Sequence, residues 1–543
     1  MLACMLSLLF LATCQCTDKP YNILVINIDD LRPSLGAYGI DEVISPNIDK
    51  LAEEGVVFRN AMNQISICGP SRSSFMTSKT PDSLNIWNFR SHIRVAPDGN
   101  NLVTIAEHFK NQGYLTAGGG KSFHDNLPPN YDGLRSWSMD KVDYLPVSKE
   151  QCTNNITLIK STVADTHPTV RPTAVCPIDR PDNTFFEHQL ADKLIEGMHY
   201  AVDHDMPFLL WGGFFKPHHP SLMPMRIWNL YNVSNISVPK NLIMDVPEDF
   251  SEASLFNYAQ GRQADSPMTN FTHTLTYGPN EALPTRWIQL LRAGYYAGIT
   301  WTDDQIKRVM DELDVMGLRN STIVILFADN AISMGENSKY MKSDNWDMSC
   351  RVPLIVSAPF LPQGEVRHTP VELLDIFPTL VNLAGVEPPA NYEFHGKDIT
   401  DLIMGECDDD DSDNIAYSQF PRCVNISLVS QPWLVDTFAP QPEIQWNCMT
   451  SNVEYFTYMG FTVRSKQWRY TEWRNWSPVT LEADWTDAGV VGRELYDHRK
   501  NKVYGPSFLE EFETKNVYKR YKANGFTKKL KKKLRERFDP NYL

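Results

Sequence analysis

The sequence predicts an α/β protein: a large, doubly wound, mostly parallel sheet, then a smaller α+β domain carrying an antiparallel sheet. Three observations carry that expectation. Short β-rich apolar runs, of the kind buried on both faces of a parallel sheet, recur through the first two thirds of the chain. Helical patterns with start and stop signals separate them. After the acidic run Asp408–Asp411 with Asp413, the pattern changes to hairpin-like alternation. At 543 residues the chain is also too long for one small core.

The elements follow in order. Residues 1–16 read as a signal peptide without a basic n-region: Met5–Ala12 is apolar but too short to span a bilayer, and Cys14 and Cys16 suit a cleavage site. No other stretch is long and apolar enough to cross a membrane. The large domain is assigned to 17–407. Its first strand is Ile23–Ile28. Ser45-Pro46 then opens a helix, as N-cap and first-turn proline, and Gly55 closes it. A second helix runs from Leu102 to Gln112. Tyr114–Ala117, Pro207–Phe215, Thr322–Ala328 and Pro353–Ala358 are further strands, and Trp287–Leu318 and Val371–Ala384 further helices. Residues 408–414 read as a solvated linker rather than a calcium loop, because no turn-forming pattern accompanies the acids. In the smaller domain, 415–543, Thr457–Arg464 and Gln467–Arg474 form a hairpin with Arg493–Tyr496 as a further strand. Lys528–Arg537 ends the chain as a solvated basic helix, with Leu530 and Leu534 on one face.

Composition narrows the function. The formal net charge of −15 argues against non-specific nucleic-acid binding and requires a local basic pocket for any anionic ligand. Cysteine use fits an exported protein. Apart from Cys4, Cys14 and Cys16, seven cysteines remain, and reserving Cys68 for chemistry leaves Cys152, Cys176, Cys350, Cys407, Cys423 and Cys448. Six cysteines permit three disulfides; proximity favours Cys152 with Cys176 and Cys423 with Cys448. Sequons at Asn155, Asn232, Asn235, Asn270, Asn320, Asn425 and Asn475 fit a glycosylated product.

The sharpest local signal is Cys68-Gly69-Pro70-Ser71-Arg72. Pro70 suits the first turn of a helix, which would place Cys68 at the positive end of its dipole, where an anion is welcome. Asp29-Asp30 follow one predicted strand and Asp329-Asn330 another. In an open α/β sheet, ligands gather beyond the carboxyl ends of the strands. Acids gathered there repel unless a cation lies between them, and oxygen donors of this kind suit a hard ion, Ca²⁺ more readily than Mg²⁺. Arg72, Lys121, His124, His218 and Lys342 are candidate cations around the same point.

The pentapeptide resembles the signature of type I sulfatases. Similar blocks extend over most of the chain: NILVINIDDLRPSL, SPNIDKL, GKSFH, KPHHP, FADN and ELYDH. Among the branches, DDLRPSLGAYG, GKSFH, KPHHP and AYSQFPR are most like the iduronate-2-sulfatases. The resemblance implies the alkaline-phosphatase-like sulfatase fold, calcium, and oxidation of Cys68 to formylglycine by a formylglycine-generating enzyme in the endoplasmic reticulum. It also implies a lysosomal or secreted destination and a sulfated glycan as substrate. In the implied mechanism, the hydrated aldehyde made from Cys68 is itself a metal ligand beside Asp29, Asp30, Asp329 and Asn330, and it attacks sulfur while bound to the metal as Asp329 helps remove its proton. Arg72, Lys121 and Lys342 neutralise sulfate oxygens, and His218 protonates the leaving oxygen. His124 then takes the proton of the second hydroxyl, expelling sulfate.

The chain departs from that branch in places. Asp329-Asn330-Ala331-Ile332 stands where Asp-His-Gly-Trp is usual, Ile332 and Ser343 replace aromatic residues expected in the substrate pocket, and Asn337 replaces a histidine. Removal of 2-O-sulfate from terminal iduronate therefore stands beside two alternatives: a sulfatase for another sulfated sugar, steroid or aryl ester, and a non-catalytic binder of sulfated glycans.

Overall fold

The computed structural model describes residues 20–138, 175–242, 285–406, 414–423, 448, 452–499 and 513–542. Its main sheet contains β1 (Asn22–Ile28), β2 (Val56–Met62), β3 (Leu115–Gly120), β4 (Phe208–Phe214), β5 (Thr322–Ala328), β6 (Arg351–Ser357), β7 (Glu365–Arg367) and β8 (Val371–Glu372). The spatial order is β7-β2-β6-β5-β1-β4-β3, with β8 also paired to β2. β1 lies parallel to β4 and β5, and β3 parallel to β4. Only β6 is reversed, running antiparallel to both β2 and β5. Two reversals cancel, so β1 to β5 all end on one edge.

The principal helices here are α1 (Pro46–Glu53), α2 (Cys68–Thr77), α3 (Ile105–Asn111), α4 (Phe186–Asp203), α5 (Thr285–Val315) and α6 (Ile376–Ala384). Neighbouring strand residues point to opposite faces. On β4, Leu210 meets Gly197 of α4, while the adjacent Trp211 stacks on Phe75 of α2. Helices therefore cover both faces, which explains why β1 reads Asn-Ile-Leu-Val-Ile-Asn-Ile without alternation and is buried throughout. This is the doubly wound, mostly parallel sheet expected.

Several local expectations are corrected. Ser45 makes no side-chain cap; its hydroxyl instead bonds Asp49 and accepts from the Gly36 amide. Val371–Ala384 is not one helix: it begins as β8 and passes through the 3₁₀ turn Leu373–Asp375 before α6. Cys350 is a buried free thiol, so it takes no part in a disulfide. Cys423 and Cys448 are bonded as expected. Cys176 is also disulfide-bonded, while Cys152 and Cys407 lie outside the described residues. Residues 1–16, the acidic run and sequons Asn155, Asn270 and Asn425 likewise lie outside them. Asn232, Asn235, Asn320 and Asn475 are all exposed. Among the described residues, no helix is long and apolar enough to cross a membrane.

The second sheet is antiparallel: β9 (Ala416–Arg422), β10 (Tyr458–Arg464) and β11 (Trp468–Ser477), with β12 (Val490–Asp497) beside β11. Its two faces do different work. On one, Arg464 pairs with Asp347 at 2.7 Å and the Gly460 carbonyl accepts from Asn345, fastening the sheet to the loop before β6. On the other, Phe461 meets Phe538 of the terminal helix α7 (Gly525–Phe538), ring centroids 4.7 Å apart. That helix was expected to be merely solvated. Its leucine face instead belongs to the core of the second sheet, with Leu530 and Leu534 buried. Leu534→Ala should therefore destabilise the protein by about 2–5 kcal/mol, measured as a lowered denaturant midpoint; an unchanged midpoint would contradict this packing.

Candidate active site

Five segments leave the same edge of the main sheet and converge. Asp29-Asp30 follow β1, Cys68 opens α2 beyond β2, Lys121 follows β3, His218 lies in the loop after β4, and Asp329-Asn330 follow β5. Close approach of β3 and β4 requires glycine: a Cβ on Gly213 would lie 2.3 Å from the Lys121 carbonyl carbon. The Lys121 amide can thus donate to the Gly213 carbonyl at 2.7 Å. Asp30 has φ 60°, an uncommon conformation for a non-glycine residue. Tyr295 of α5 holds that turn, donating to the Asp30 carbonyl at 2.6 Å and accepting from the Arg32 amide at 2.9 Å.

Asp29, Asp30 and Asp329 are completely buried, and each offers one carboxylate oxygen to a group within 4.8 Å of one another. Arg72 braces two of them, lying 3.0 Å from Asp29 and 3.0 Å from Asp329. Its guanidinium also donates to Asn27 at 2.5 Å and to the Lys121 carbonyl. Lys121 reaches Asp29 at 2.5 Å. Lys342 reaches Asp30, lies 2.7 Å from Cys68 Sγ and donates to Asn330 Oδ1 at 3.3 Å. The Asn330 amide donates to Asp30 Oδ1 at 2.6 Å. Cys68 Sγ is 3.8 Å from that same oxygen. Three cations thus meet three carboxylates, so the site does not share the molecule's negative balance. A divalent cation would make it positive.

The local fields follow from these contacts. Burial raises the Asp29 pKa, but Lys121, His218 and Arg72 outweigh it and hold the group well below its usual range. Asp30 is likewise lowered: burial opposes ionisation, while Lys342 and His218 favour it. For Asp329 burial dominates over Arg72, and its pKa rises to about 6. Burial pushes the Cys68 thiol well up, so the unmodified side chain is a poor thiolate. Burial lowers His218 to about 3 despite the nearby carboxylates.

His218 Nδ1 is 2.6 Å from the His219 carbonyl, and Nε2 faces Asp30 at 3.7 Å and Asp29 at 4.0 Å. His124 stacks on Phe89 at 4.3 Å, and its buried Nδ1 makes no hydrogen bond among the described residues. Every candidate catalytic and metal-site residue named from the sequence therefore belongs to this edge or its rim. Supporting residues were missed. Lys216 donates to the His218 and Pro220 carbonyls at 3.1 and 2.8 Å, clamping the histidine turn. Glu336 accepts from Arg32 at 2.9 Å and lies 3.4 Å from Arg292, tying the loops after β1 and β5 to α5. Tyr295 and Arg292 belonged to the helical pattern, which gave no separate signal of function.

The altered positions occupy different places. Ile332 is fully buried in the main core, so it does not form an exposed pocket wall. Asn337 is also buried and accepts from the Asn241 amide at 3.1 Å. Ser343, in the loop carrying Lys342, is buried, and its carbonyl accepts from Arg422 at 3.0 Å.

Asp30 Oδ2 is buried and makes no hydrogen bond among the described residues. Together with the neighbouring carboxylates and Asn330, it fits a hard, oxygen-seeking cation.

A solved phosphonate monoester hydrolase from Silicibacter pomeroyi shares the fold, with TM-score 0.64 and 19% identity over 95% of this chain and 94% of that one. A structure described as a 2-O GAG sulfatase aligns with TM-score 0.62 and 20% identity over 95% and 92% of the two chains. Human iduronate 2-sulfatase is 30% identical over 88% of this chain and 89% of its own length. The family profile described as Sulfatase matches residues 21–386, and with the cysteine motif and acidic cluster set at one sheet edge, the chain belongs to the type I sulfatase family.

Proposed function

We propose that this protein is an exosulfatase removing 2-O-sulfate from terminal iduronate of heparan or dermatan sulfate. Family membership supports the reaction class, sulfate-ester hydrolysis. The observation carrying the finer reading is the likeness to human iduronate 2-sulfatase, which covers more of the chain than the family match. Strands β9 to β11 of the second sheet, joined to the Lys342 loop through Asn345 and Asp347, fall within the part of the chain such a likeness must reach.

Asp29, Asp30, Asp329 and Asn330 would hold Ca²⁺, whose charge would favour the ionised form of an attacking hydroxyl. Formylglycine made from Cys68 by a formylglycine-generating enzyme would supply two hydroxyls when hydrated, one to attack and one to release sulfate. The remaining work falls to this chain's side chains. Lys342, beside Cys68, and Lys121 neutralise sulfate oxygens. Arg72 orients the carboxylates, because its guanidinium is committed to Asp29, Asp329 and Asn27. His218 is neutral in the free site, where burial lowers its pKa to about 3 and Nδ1 faces the His219 carbonyl. The negative charge of a bound sulfate ester would favour uptake of a solvent proton at Nε2, from which it passes to the leaving oxygen. His124 accepts a proton through its unpartnered nitrogen. The exposed sequons, the bonded cysteines and residues 1–16 support maturation in the secretory pathway and a lysosomal or extracellular destination.

Purified protein should be assayed near acidic pH on a 2-sulfated iduronate disaccharide, a 6-sulfated hexosamine and an aryl sulfate. The expected result is the highest kcat/KM on the iduronate disaccharide. A higher value on either alternative would overturn the branch assignment and leave sulfate-ester hydrolysis standing.

A further inference from the structure

We propose that the lysine face of α7 docks the body of a polysulfated glycan chain whose terminal sugar occupies the active site. This rests on the glycan reading given above. Between Lys519 and Arg537 there are ten basic residues and a single acid, Glu536, in a molecule whose net charge is −15. The concentration is therefore local and opposite in sign to the whole. α7 has 14 residues, a length of about 21 Å at 1.5 Å per residue. Lys528, Lys529 and Lys532 are exposed on it. Glu536 lies 3.5 Å from Lys532 and 3.3 Å from Lys533, so one carboxylate serves two ammonium groups. Lysines at 528 and 532, and at 529 and 533, are like charges one turn apart, which gather positive charge along one stretch of the helix.

The surroundings favour an anionic polymer over a membrane. The helix has already spent its apolar side on the protein: Leu530 and Leu534 are buried, Phe526 stacks on Trp468 at 4.3 Å, and Phe538 meets Phe461. An interfacial membrane helix needs that side for the acyl boundary. A sulfated polysaccharide needs only the charges, and its affinity arises from electrostatic attraction and release of its counterions, as for other linear polyanions.

The location connects the surface to the site. At the carboxyl end of α7, Arg537 lies 3.8 Å from Glu372. Glu372 is the register partner of Met62, the last residue of β2, and accepts from Gln64 at 3.1 Å. Cys68 follows a short distance along the same segment. One end of the basic helix thus abuts the sheet edge at which the active site is built, and the rest leads away along the outer face of the second sheet.

The test compares the wild type with Lys528→Glu/Lys529→Glu/Lys532→Glu, three exposed positions, after equal melting temperatures establish that both are folded. Binding of a heparin dodecasaccharide is measured by titration calorimetry at low and physiological salt, alongside kcat/KM on a small aryl sulfate. The expected outcome is at least about tenfold weaker dodecasaccharide binding and a shallower salt dependence in the variant, with aryl sulfate turnover within about twofold. Equal dodecasaccharide affinity in the two proteins overturns the proposal. So does loss of binding to phosphatidylserine vesicles with dodecasaccharide binding retained, which would assign the surface to a membrane. If neither protein hydrolyses a sulfate ester yet dodecasaccharide binding still depends on the lysines, the catalytic reading falls and the docking surface stands.

Discussion

Replacing Cys68 by serine is expected to lower multiple-turnover sulfatase activity on the order of 10⁴-fold or more, as when other covalent nucleophiles are removed. The substitution is small enough to leave the site assembled. Cys68 is 1% exposed, and its neighbours Lys342 and Asp30 can bond a serine hydroxyl as readily as a thiol. Folding and secretion should therefore be nearly unchanged. A serine oxygen could still attack sulfur, but it has no second hydroxyl whose deprotonation would expel sulfate. The variant should release about one equivalent of alcohol and stop. The check is pre-steady-state product release, with mass spectrometry of the peptide containing residue 68. Wild-type material should carry the aldehyde or its hydrate, and the serine variant an added sulfate. Sustained turnover by the serine variant at a near-native rate would refute the mechanism proposed here.

Cys68 and the acids were legible because they combine an unusual local composition with a position at strand ends. Two adjacent aspartates after an apolar run have few structural uses, and a second acid–amide pair after another run repeats the signal. Less was legible where polar residues are structural. β2 reads Val-Val-Phe-Arg-Asn-Ala-Met, and its apolar run is broken by Arg59 and Asn60. Both are buried: Arg59 lies over the Tyr38 ring, and Asn60 donates to the His368 carbonyl. β9 reads Ala-Tyr-Ser-Gln-Phe-Pro-Arg, with a proline that argues against an interior strand, and the structure places it at the edge of its sheet. The reversal of β6 left no trace either, since a strand buried on both faces has the same pattern in either direction.

Long-range support around the site was the least legible. Asn27 accepts from Arg72 across 45 positions of sequence, and Tyr295 meets Asp30 across 265. Periodicity places these side chains on buried faces without distinguishing a hydrogen-bonding role from packing. The substituted positions show the converse. Ile332 was expected in a pocket wall from its place in the motif, yet it packs into the core, so its effect on a sugar ring would be indirect.

Asp29→Ala and Asp329→Ala are each expected to abolish stoichiometric calcium and lower turnover on the order of 10³-fold or more, since the ion would contribute several kcal/mol of charge stabilisation. The two substitutions remove different parts of one cluster. Asp29 balances Lys121 and Arg72, whereas Asp329 balances Arg72 and accepts the Asp30 and Asn330 amides at 3.1 and 2.9 Å. Asp29→Ala leaves buried Lys121 without its carboxylate, so stability should fall by about 3–5 kcal/mol even without metal, whereas after Asp329→Ala Arg72 keeps Asp29 and the fall should be smaller. A second readout separates that cost from metal binding. Calcium that binds the folded state alone stabilises it by mass action, so chelation should lower the wild-type melting temperature and leave those of the variants unchanged. Asp311→Ala serves as a control for general loss of an acid, because Asp311 pairs only on the exposed surface with Lys307 among the described residues. It should keep both the calcium and the chelation response. Elemental analysis showing undiminished calcium in Asp29→Ala and Asp329→Ala would rule out this ligand set, whatever their activities.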